Sequence, residues 1–309
     1  MVAMEQFIVK TAALSKQYND QLVVKDVSMA IPKGKVYGLL GRNGAGKTTI
    51  MKILLGLAGA SAGEVLLFGQ SPNKHPEVYS RIGNIIETPS FYPYLSGREN
   101  LKVFSKLKGQ VQKNSVEKAL KLVDLTQAEH KRFANYSLGM KQRLGIANAL
   151  MNDPELLILD EPTNGLDPIG IAEIRKLLKE LTEVHGKTIL ISSHQLSEIE
   201  QIADIIGILH NGELLEECDL EKIAQHNQRH ISITVSDIHQ ATRLLEENLH
   251  LTNYTMDGNN TIKIFDFSFE PQEINRIFGK NGIEVSSLFI GSVNLEEHFR
   301  TITGGVGIA

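Results

Sequence analysis

Gly41-Arg42-Asn43-Gly44-Ala45-Gly46-Lys47-Thr48 is the stretch that decides the fold. It fits G-x-x-x-x-G-K-S/T, a loop whose glycines let the backbone wrap a phosphate with its N–H groups turned inward. The apolar run Val36–Leu40 before it reads as a buried strand and Lys47–Leu57 after it as a helix, the context such a loop requires. The helix N-terminus adds a partial positive charge. Lys47 is then placed to reach the β- and γ-phosphates of a nucleotide, and Thr48 to set its hydroxyl on Mg²⁺. Gly41, Asn43, Gly44, Ala45, Gly46 and Thr49 complete the candidate nucleotide contacts.

A second run, Leu156-Leu157-Ile158-Leu159-Asp160-Glu161-Pro162, is an apolar strand ending in two carboxylates. Beside a phosphate loop, Asp160 can hold Mg²⁺ through water and Glu161 can polarise an attacking water as general base. Ile189–Ser192 reads as another buried strand, with helices over Lys141–Met151 and Ile171–Val184. This alternation predicts an α/β sheet with helices on both faces. The block Phe91–Gln127 reads mainly as helix, opened by a capping box at Ser96-Gly97-Arg98-Glu99. A helical subdomain over about 91–150 is expected inside the α/β core.

Composition bounds the function. Of 309 residues 42% are hydrophobic and 22% charged, which is globular rather than disordered. The net charge of −4 argues against binding nucleic acid or an anionic membrane surface by charge alone. The single cysteine, Cys218, excludes an intrachain disulfide and suits a reducing compartment. No run of about 18 apolar residues is present, and MVAMEQFIVK lacks the pattern of a signal peptide.

From Arg229 onward the chain carries six basic and ten acidic residues, so the tail holds the whole net charge. A boundary is placed near residue 226, giving a domain of 1–226 and an accessory domain of 227–309. The tail reads as strand 230–236, helix 238–248, strands 251–256 and 261–267, helix 271–279 and strand 283–290, with a last helix starting near Asn294. Asp257-Gly258 is the expected turn between the middle strands. The order βαββαβ is that of a small ferredoxin-like α+β domain.

Three further segments carry a resemblance. Tyr136-Ser137-Leu138-Gly139-Met140-Lys141-Gln142-Arg143 resembles the signature motif of ABC ATPases, usually written LSGGQ. Gly165-Leu166-Asp167-Pro168 resembles their D-loop, and Ser192-Ser193-His194 their switch histidine. The order and spacing of the motifs match across residues 41–194, and the likeness covers roughly residues 5–225. It implies a P-loop ABC ATPase core that binds ATP with Mg²⁺. Ser137 and Gly139, with the dipole of their helix, would face a γ-phosphate bound to the other subunit. Hydrolysis would thus need a head-to-tail homodimer. His194 would position water at the γ-phosphate, Asp167 would link the two sites, and Tyr18 would stack on adenine. Taken alone, Tyr18 reads as an ordinary half-buried tyrosine.

Two departures refine the resemblance. Leu138 and Met140 replace a glycine and the glutamine of the signature, a form similar to that of peptide-antibiotic exporter subunits. Glu87 stands where the family has the glutamine of its Q-loop, and resembles the E-loop of lantibiotic self-protection transporters. A glutamate there adds a full charge beside the metal and is a candidate metal ligand. The alternative, a tolerated change without substrate meaning, stays open. Phe91-Tyr92-Pro93-Tyr94-Leu95, near the surface that meets the membrane subunit, and an accessory tail domain are also similar to exporter subunits of the bacitracin-resistance type. These features imply a peripheral subunit on the cytoplasmic face of the cell membrane. There it would power export of an antimicrobial peptide through separate integral membrane permease subunits. Export of another drug, lipid or ion, or import, is the nearest alternative. A soluble non-transport ABC ATPase is more distant, since one cassette is present and about 90 residues separate the phosphate loop from the signature, too few for a long coiled coil.

Overall fold

The computed structural model describes residues 7–87, 90–107, 109, 114–220, 229–258, 260–292 and 302. The chain divides into two compact units, the first running to Leu220. The boundary expected near residue 226 and the helix expected near Asn294 lie outside the described residues.

The first unit opens with strands β1 (Phe7–Tyr18), β2 (Gln21–Val27), β3 (Ala30–Pro32) and β4 (Val36–Leu40), then helix α1 (Lys47–Leu54), β5 (Ala62–Leu67) and β6 (Ile82–Ile85). Helices α2 (Gly97–Leu107), α3 (Ser115–Leu122) and α4 (Leu138–Leu150) follow and pack on one another. The unit closes with β7 (Leu156–Leu159), α5 (Pro168–Glu183), β8 (Thr188–Ser193), the short α6 (Leu196–Ile199), β9 (Ile205–His210) and β10 (Glu213–Asp219).

A six-stranded sheet runs in the order β10-β9-β4-β8-β7-β6. All its neighbours are parallel except the β9–β10 pair. Every residue of β4, β7 and β8 is buried, as their continuous apolar runs require of strands covered on both faces. Because the strands are parallel, the loops after β4, β6, β7 and β8 all leave from the carboxyl edge, where open α/β sheets bind ligands.

A second sheet of β1, β2, β3 and β5 is antiparallel and is absent from the sequence-based expectation. Its register shifts within β1 break the alternation that identifies a half-buried strand. Ile50, Met51, Ile53 and Leu54 of α1 share one core with Ile8, Val9 and Ile31 of this sheet and with Leu39, Leu156 and Leu190 of the other. The phosphate-loop helix is therefore packed from both sides.

Helix ends differ from the apolar pattern because caps set them. α1 stops at Leu54 rather than Leu57; Gly56 turns the chain at φ +70° beside Tyr79, whose hydroxyl would lie 2.5 Å from an added Cβ. α4 starts at Leu138, three residues early, because Ser137 accepts the Met140 N–H. α5 starts at Pro168 with Asp167 accepting the Gly170 N–H at 2.8 Å. The capping box at α2 is formed: Ser96 N donates to Glu99 Oε2 at 2.8 Å and Glu99 N to Ser96 Oγ at 3.3 Å.

The second unit contains β11 (Arg229–Val235), α7 (Ile238–Leu249), β12 (Tyr254–Asp257), β13 (Thr261–Ile264), α8 (Pro271–Lys280) and β14 (Val285–Ser292). Its antiparallel sheet has the order β12-β13-β11-β14, which is ferredoxin-like. Alternate residues of β11, Ile231, Ile233 and Val235, meet Leu245 of α7 and Phe278 of α8 in the core. The strand expected at 251–256 begins at Tyr254, since His250 turns left-handed and the Leu251 N–H closes α7 on Leu245 O. The strand expected at 261–267 ends at Ile264, and a turn in which Ser268 donates to Asp266 follows.

Cys218 on β10 is buried, and burial, with Glu216 beside it, pushes its thiol up to about 12. The thiol thus stays protonated at pH 8. Iodoacetamide is expected to leave it unlabelled in the folded chain and to label it in urea, as read by intact mass.

Candidate functional site

The phosphate loop joins β4 to α1. Gly44 and Gly46 take φ of +82° and +108°, a region that L-residues avoid. Gly46 is the residue before the helix, so the first N–H groups of α1 face the loop. A Cβ on Gly41 would lie 2.5 Å from the Leu209 carbonyl, so only glycine fits there. Ala45 is buried, and Asn43 is exposed in the loop crown. Lys47 is buried, and its Nζ donates to the carbonyls of Gly41 at 2.6 Å and Arg42 at 3.2 Å. Burial pulls its ammonium below the ordinary lysine range, against the opposing pull of Glu161 and Asp160. Thr49, half-buried, follows in the first turn of α1.

The loop after β7 meets this one. Thr48 Oγ1 donates to Asp160 Oδ2 at 2.7 Å, and Ser192 Oγ donates to Asp160 Oδ1 at 2.6 Å. The same Ser192 hydroxyl accepts the Glu161 N–H at 2.9 Å. Glu161 sits at φ +45°, a strained backbone of the kind found at functional sites. Its two carboxylate oxygens face Lys47 Nζ at 3.5 Å and His194 Nδ1 at 3.2 Å. The structure thus brings Lys47, Thr48, Asp160, Glu161 and His194 together at the carboxyl edge. The chemistry available is a carboxylate beside an imidazole, facing a loop of inward N–H groups.

Thr48 and Asp160 offer hard oxygen donors. Among the described residues no cluster of three His, Cys, Asp or Glu could cage a metal. The donor set fits Mg²⁺, which takes one or two protein oxygens and completes its shell with phosphate and water. Glu87 stands just after β6 at φ +64°, and the Lys52 ammonium of α1 donates to its Oε1 at 3.0 Å. That ion pair balances the charge a glutamine would lack. Sequence reasoning had no signal for Lys52, whose position on the helix becomes meaningful only when β6 packs beside α1. Ser192 lay within a quoted motif without a role, and its two hydrogen bonds supply one.

Tyr18 ends β1 with its ring partly exposed, and Lys16 Nζ stands 4.7 Å from the ring centre. Ser137 and Gly139 head α4, and Asp167 heads α5. These two helix starts adjoin: Leu166 Cδ2 lies 3.9 Å from a Cβ built on Gly139, and Leu138 Cδ2 3.3 Å from one on Gly165. None of the three has a hydrogen bond to the phosphate loop among the described residues; Ser137 and Asp167 cap their own helices. Phe91 packs edge-on against Phe104 and Phe133, which leaves Tyr92 and Tyr94 exposed.

Residues 24–164 match the family described as ABC transporter. The chain is 52% identical over 312 residues to the bacitracin transport ATP-binding protein BcrA of Enterococcus faecalis, covering 100% of both. It is 46% identical over 210 residues to the lantibiotic transport ATP-binding protein SrtF of Streptococcus pyogenes, covering 68% of this chain and 90% of that one. A solved ATP-binding subunit of an ABC transporter superposes with a TM-score of 0.62 at 31% identity, over 71% of this chain and 92% of that one. The dimeric post-hydrolysis structure of the ATP-binding cassette MJ0796, bound to ADP and Pi, superposes with a TM-score of 0.61 at 26% identity, over 69% and 98%.

Lys47→Ala removes the buried ammonium together with its bonds to the Gly41 and Arg42 carbonyls. A loss of about tenfold or more in ATP affinity is expected, read by displacement of a fluorescent ATP analogue, with an unchanged far-ultraviolet dichroism spectrum.

Proposed function

Since the chain belongs to the ABC transporter family of ATP-binding proteins and is an ATP hydrolase of that type, we propose that it powers export of an antimicrobial peptide, bacitracin-like or a lantibiotic, through separate integral membrane subunits. The observation that carries the cargo class is likeness over the whole chain, second unit included, to a bacitracin transport ATP-binding protein. Glu87 and the Leu138/Met140 signature support the same reading. Among the described residues no helix is long and apolar enough to cross a membrane. The chain works as a peripheral subunit on the cytoplasmic face, and Tyr92 and Tyr94 belong to the surface that meets the permease.

Two copies close head to tail around two ATP molecules. Lys47 and the N–H groups before α1 hold the β- and γ-phosphates, and Tyr18 stacks on adenine. Thr48 and Asp160, with Glu87 as a further ligand, would hold Mg²⁺, which would supply charge neutralisation at the phosphate oxygens. Glu161 polarises the attacking water, and His194, 3.2 Å from it, aligns water and γ-phosphate. Ser137 and Gly139 of one copy approach the γ-phosphate of the other, and Asp167 links the two sites. Adjacent helix starts at 137–139 and 165–167 let a single closing motion deliver both.

Glu161→Gln keeps the shape of the base and removes its charge. With ATP it is expected to accumulate as a stable dimer on size exclusion, to hydrolyse at least a hundredfold more slowly, on the order of a catalytic base's contribution, and to co-purify with multi-span proteins from detergent-solubilised membranes. Full-rate hydrolysis would remove Glu161 from the role of base. Recovery of ribosomal or chromosomal proteins without membrane proteins would remove the transport reading. In cells lacking the chain, restored expression is expected to raise resistance to bacitracin or a lantibiotic, and Lys47→Ala not to. Unchanged sensitivity to both would point to other cargo.

The second unit is proposed to support the dimer or regulate it, since the residues proposed to hydrolyse ATP all lie in the first unit. Truncation after residue 226 is expected to retain ATP binding and to lower dimer yield or resistance. Full dimerisation, hydrolysis and resistance in the truncated chain would end this idea.

A further inference from the structure

Below Glu161 and His194 lies a buried carboxylate that the roles above do not use. Glu198, on α6, is 7% exposed, and Thr163 and Ser193 beside it are each 3% exposed. Thr163 Oγ1 donates to Glu198 Oε2 at 2.6 Å, and Ser193 Oγ lies 3.5 Å from the same oxygen. Thr163 is two residues past Glu161 on the loop leaving β7, and Ser193 directly precedes His194 at the end of β8. The Ser193 carbonyl also accepts the Gly41 N–H at 3.3 Å. The Ser193 hydroxyl has a shorter acceptor in the Gln195 carbonyl at 3.3 Å, but Glu198 itself lies on the segment that follows His194, so its bond to Thr163 fastens the base-bearing loop to the histidine-bearing one.

This arrangement is costly. A carboxylate out of water loses solvation, and Oε1 has no hydrogen-bond partner among the described residues, a further penalty. An apolar side chain on α6 would pack against β8 without either cost. Glu161 is meanwhile held at φ +45°, a conformation that persists only where its surroundings impose it. The Ser192 hydroxyl fixes the residue from its N–H side, and the Thr163–Glu198 bond fixes the chain two residues further on.

We propose that Glu198 is a positioning residue for hydrolysis: its bond to Thr163 holds Glu161 and His194 in register over the γ-phosphate. A neutral acceptor is sufficient for this, because what matters is the hydrogen bond to Thr163. The inference rests on Glu161 and His194 as the reacting pair.

The test uses the full-length chain, with steady-state hydrolysis and binding of a fluorescent ATP analogue measured side by side. Glu198→Ala is expected to lower kcat by about ten- to a hundredfold, the size of a misplacement near 1 Å, with analogue affinity within about twofold because the phosphate loop is intact. Glu198→Gln recovers most of kcat. Thr163→Val, nearly the same volume, reproduces the loss with an unchanged far-ultraviolet dichroism spectrum, and the double variant with Glu198→Ala is no worse than either single one. Full kcat in Glu198→Ala or Thr163→Val overturns the proposal. So does equal loss of kcat and affinity, or a Glu198→Gln as defective as Glu198→Ala. Glu161→Gln in the same assay separates the two levels: its full activity removes the reacting pair itself, whereas its inactivity beside an unaffected Glu198→Ala removes only the positioning role.

Discussion

Asp160 is held by two hydroxyls, Thr48 at 2.7 Å and Ser192 at 2.6 Å, and the geometry of the site depends on that triangle. Thr48 belongs to α1, Asp160 follows β7 and Ser192 is the last but one residue of β8. One carboxylate thereby fixes a helix start against two strand ends. The neighbouring strands β7 and β8 are parallel and in register, with Leu159 opposite Ile191, so the next residues, Asp160 and Ser192, stand side by side. Without the core that packs α1 from both sheets, the Thr48 hydroxyl would have no fixed position to donate from. Packing sets the helix, the helix sets the hydroxyl, and the hydroxyl sets the carboxylate.

How much of this was legible in the sequence follows from how local each determinant is. The phosphate loop, the acidic strand end and the capping box at Ser96 are written in consecutive residues, and the structure has them where those residues stand. The order of strands in the second unit followed from its alternation and turns. The antiparallel sheet of the first unit did not, because register shifts in β1 erase the period of two. Helix starts at Leu138 and Pro168 were misplaced because polar caps, Ser137 and Asp167, lie outside the apolar pattern. Lys52 and Glu198 were invisible for a different reason. Each acquires meaning from a partner at least 35 residues away in sequence, which only the folded sheet brings near.

The two halves of the motif set behave differently within one chain. Joined through the Ser192 hydroxyl, Lys47, Thr48, Asp160, Glu161 and His194 form a connected network of hydrogen bonds and ion pairs. Ser137 and Asp167 instead cap their own helices. A helix start that has a capped Ser side chain and still presents a positive dipole suits an anion arriving from outside. This division fits the proposed head-to-tail pair, in which one set would hold a nucleotide and the other would meet the nucleotide of the second copy.

The charge arrangement explains how two carboxylates tolerate a triphosphate beside them. Asp160 accepts from two hydroxyls, and its charge also helps to hold the Lys47 ammonium protonated. Glu161 shares Lys47 and His194, at 3.5 and 3.2 Å, neither of them a short contact. Lys47 makes its shortest bond, 2.6 Å, to the neutral Gly41 carbonyl, while burial holds its ammonium below the ordinary range. A lysine so placed gains more from an arriving phosphate than an exposed one would, because the anion restores what burial took away. In the proposed mechanism, a phosphate that engages Lys47 would compete with the Glu161 carboxylate for its ammonium.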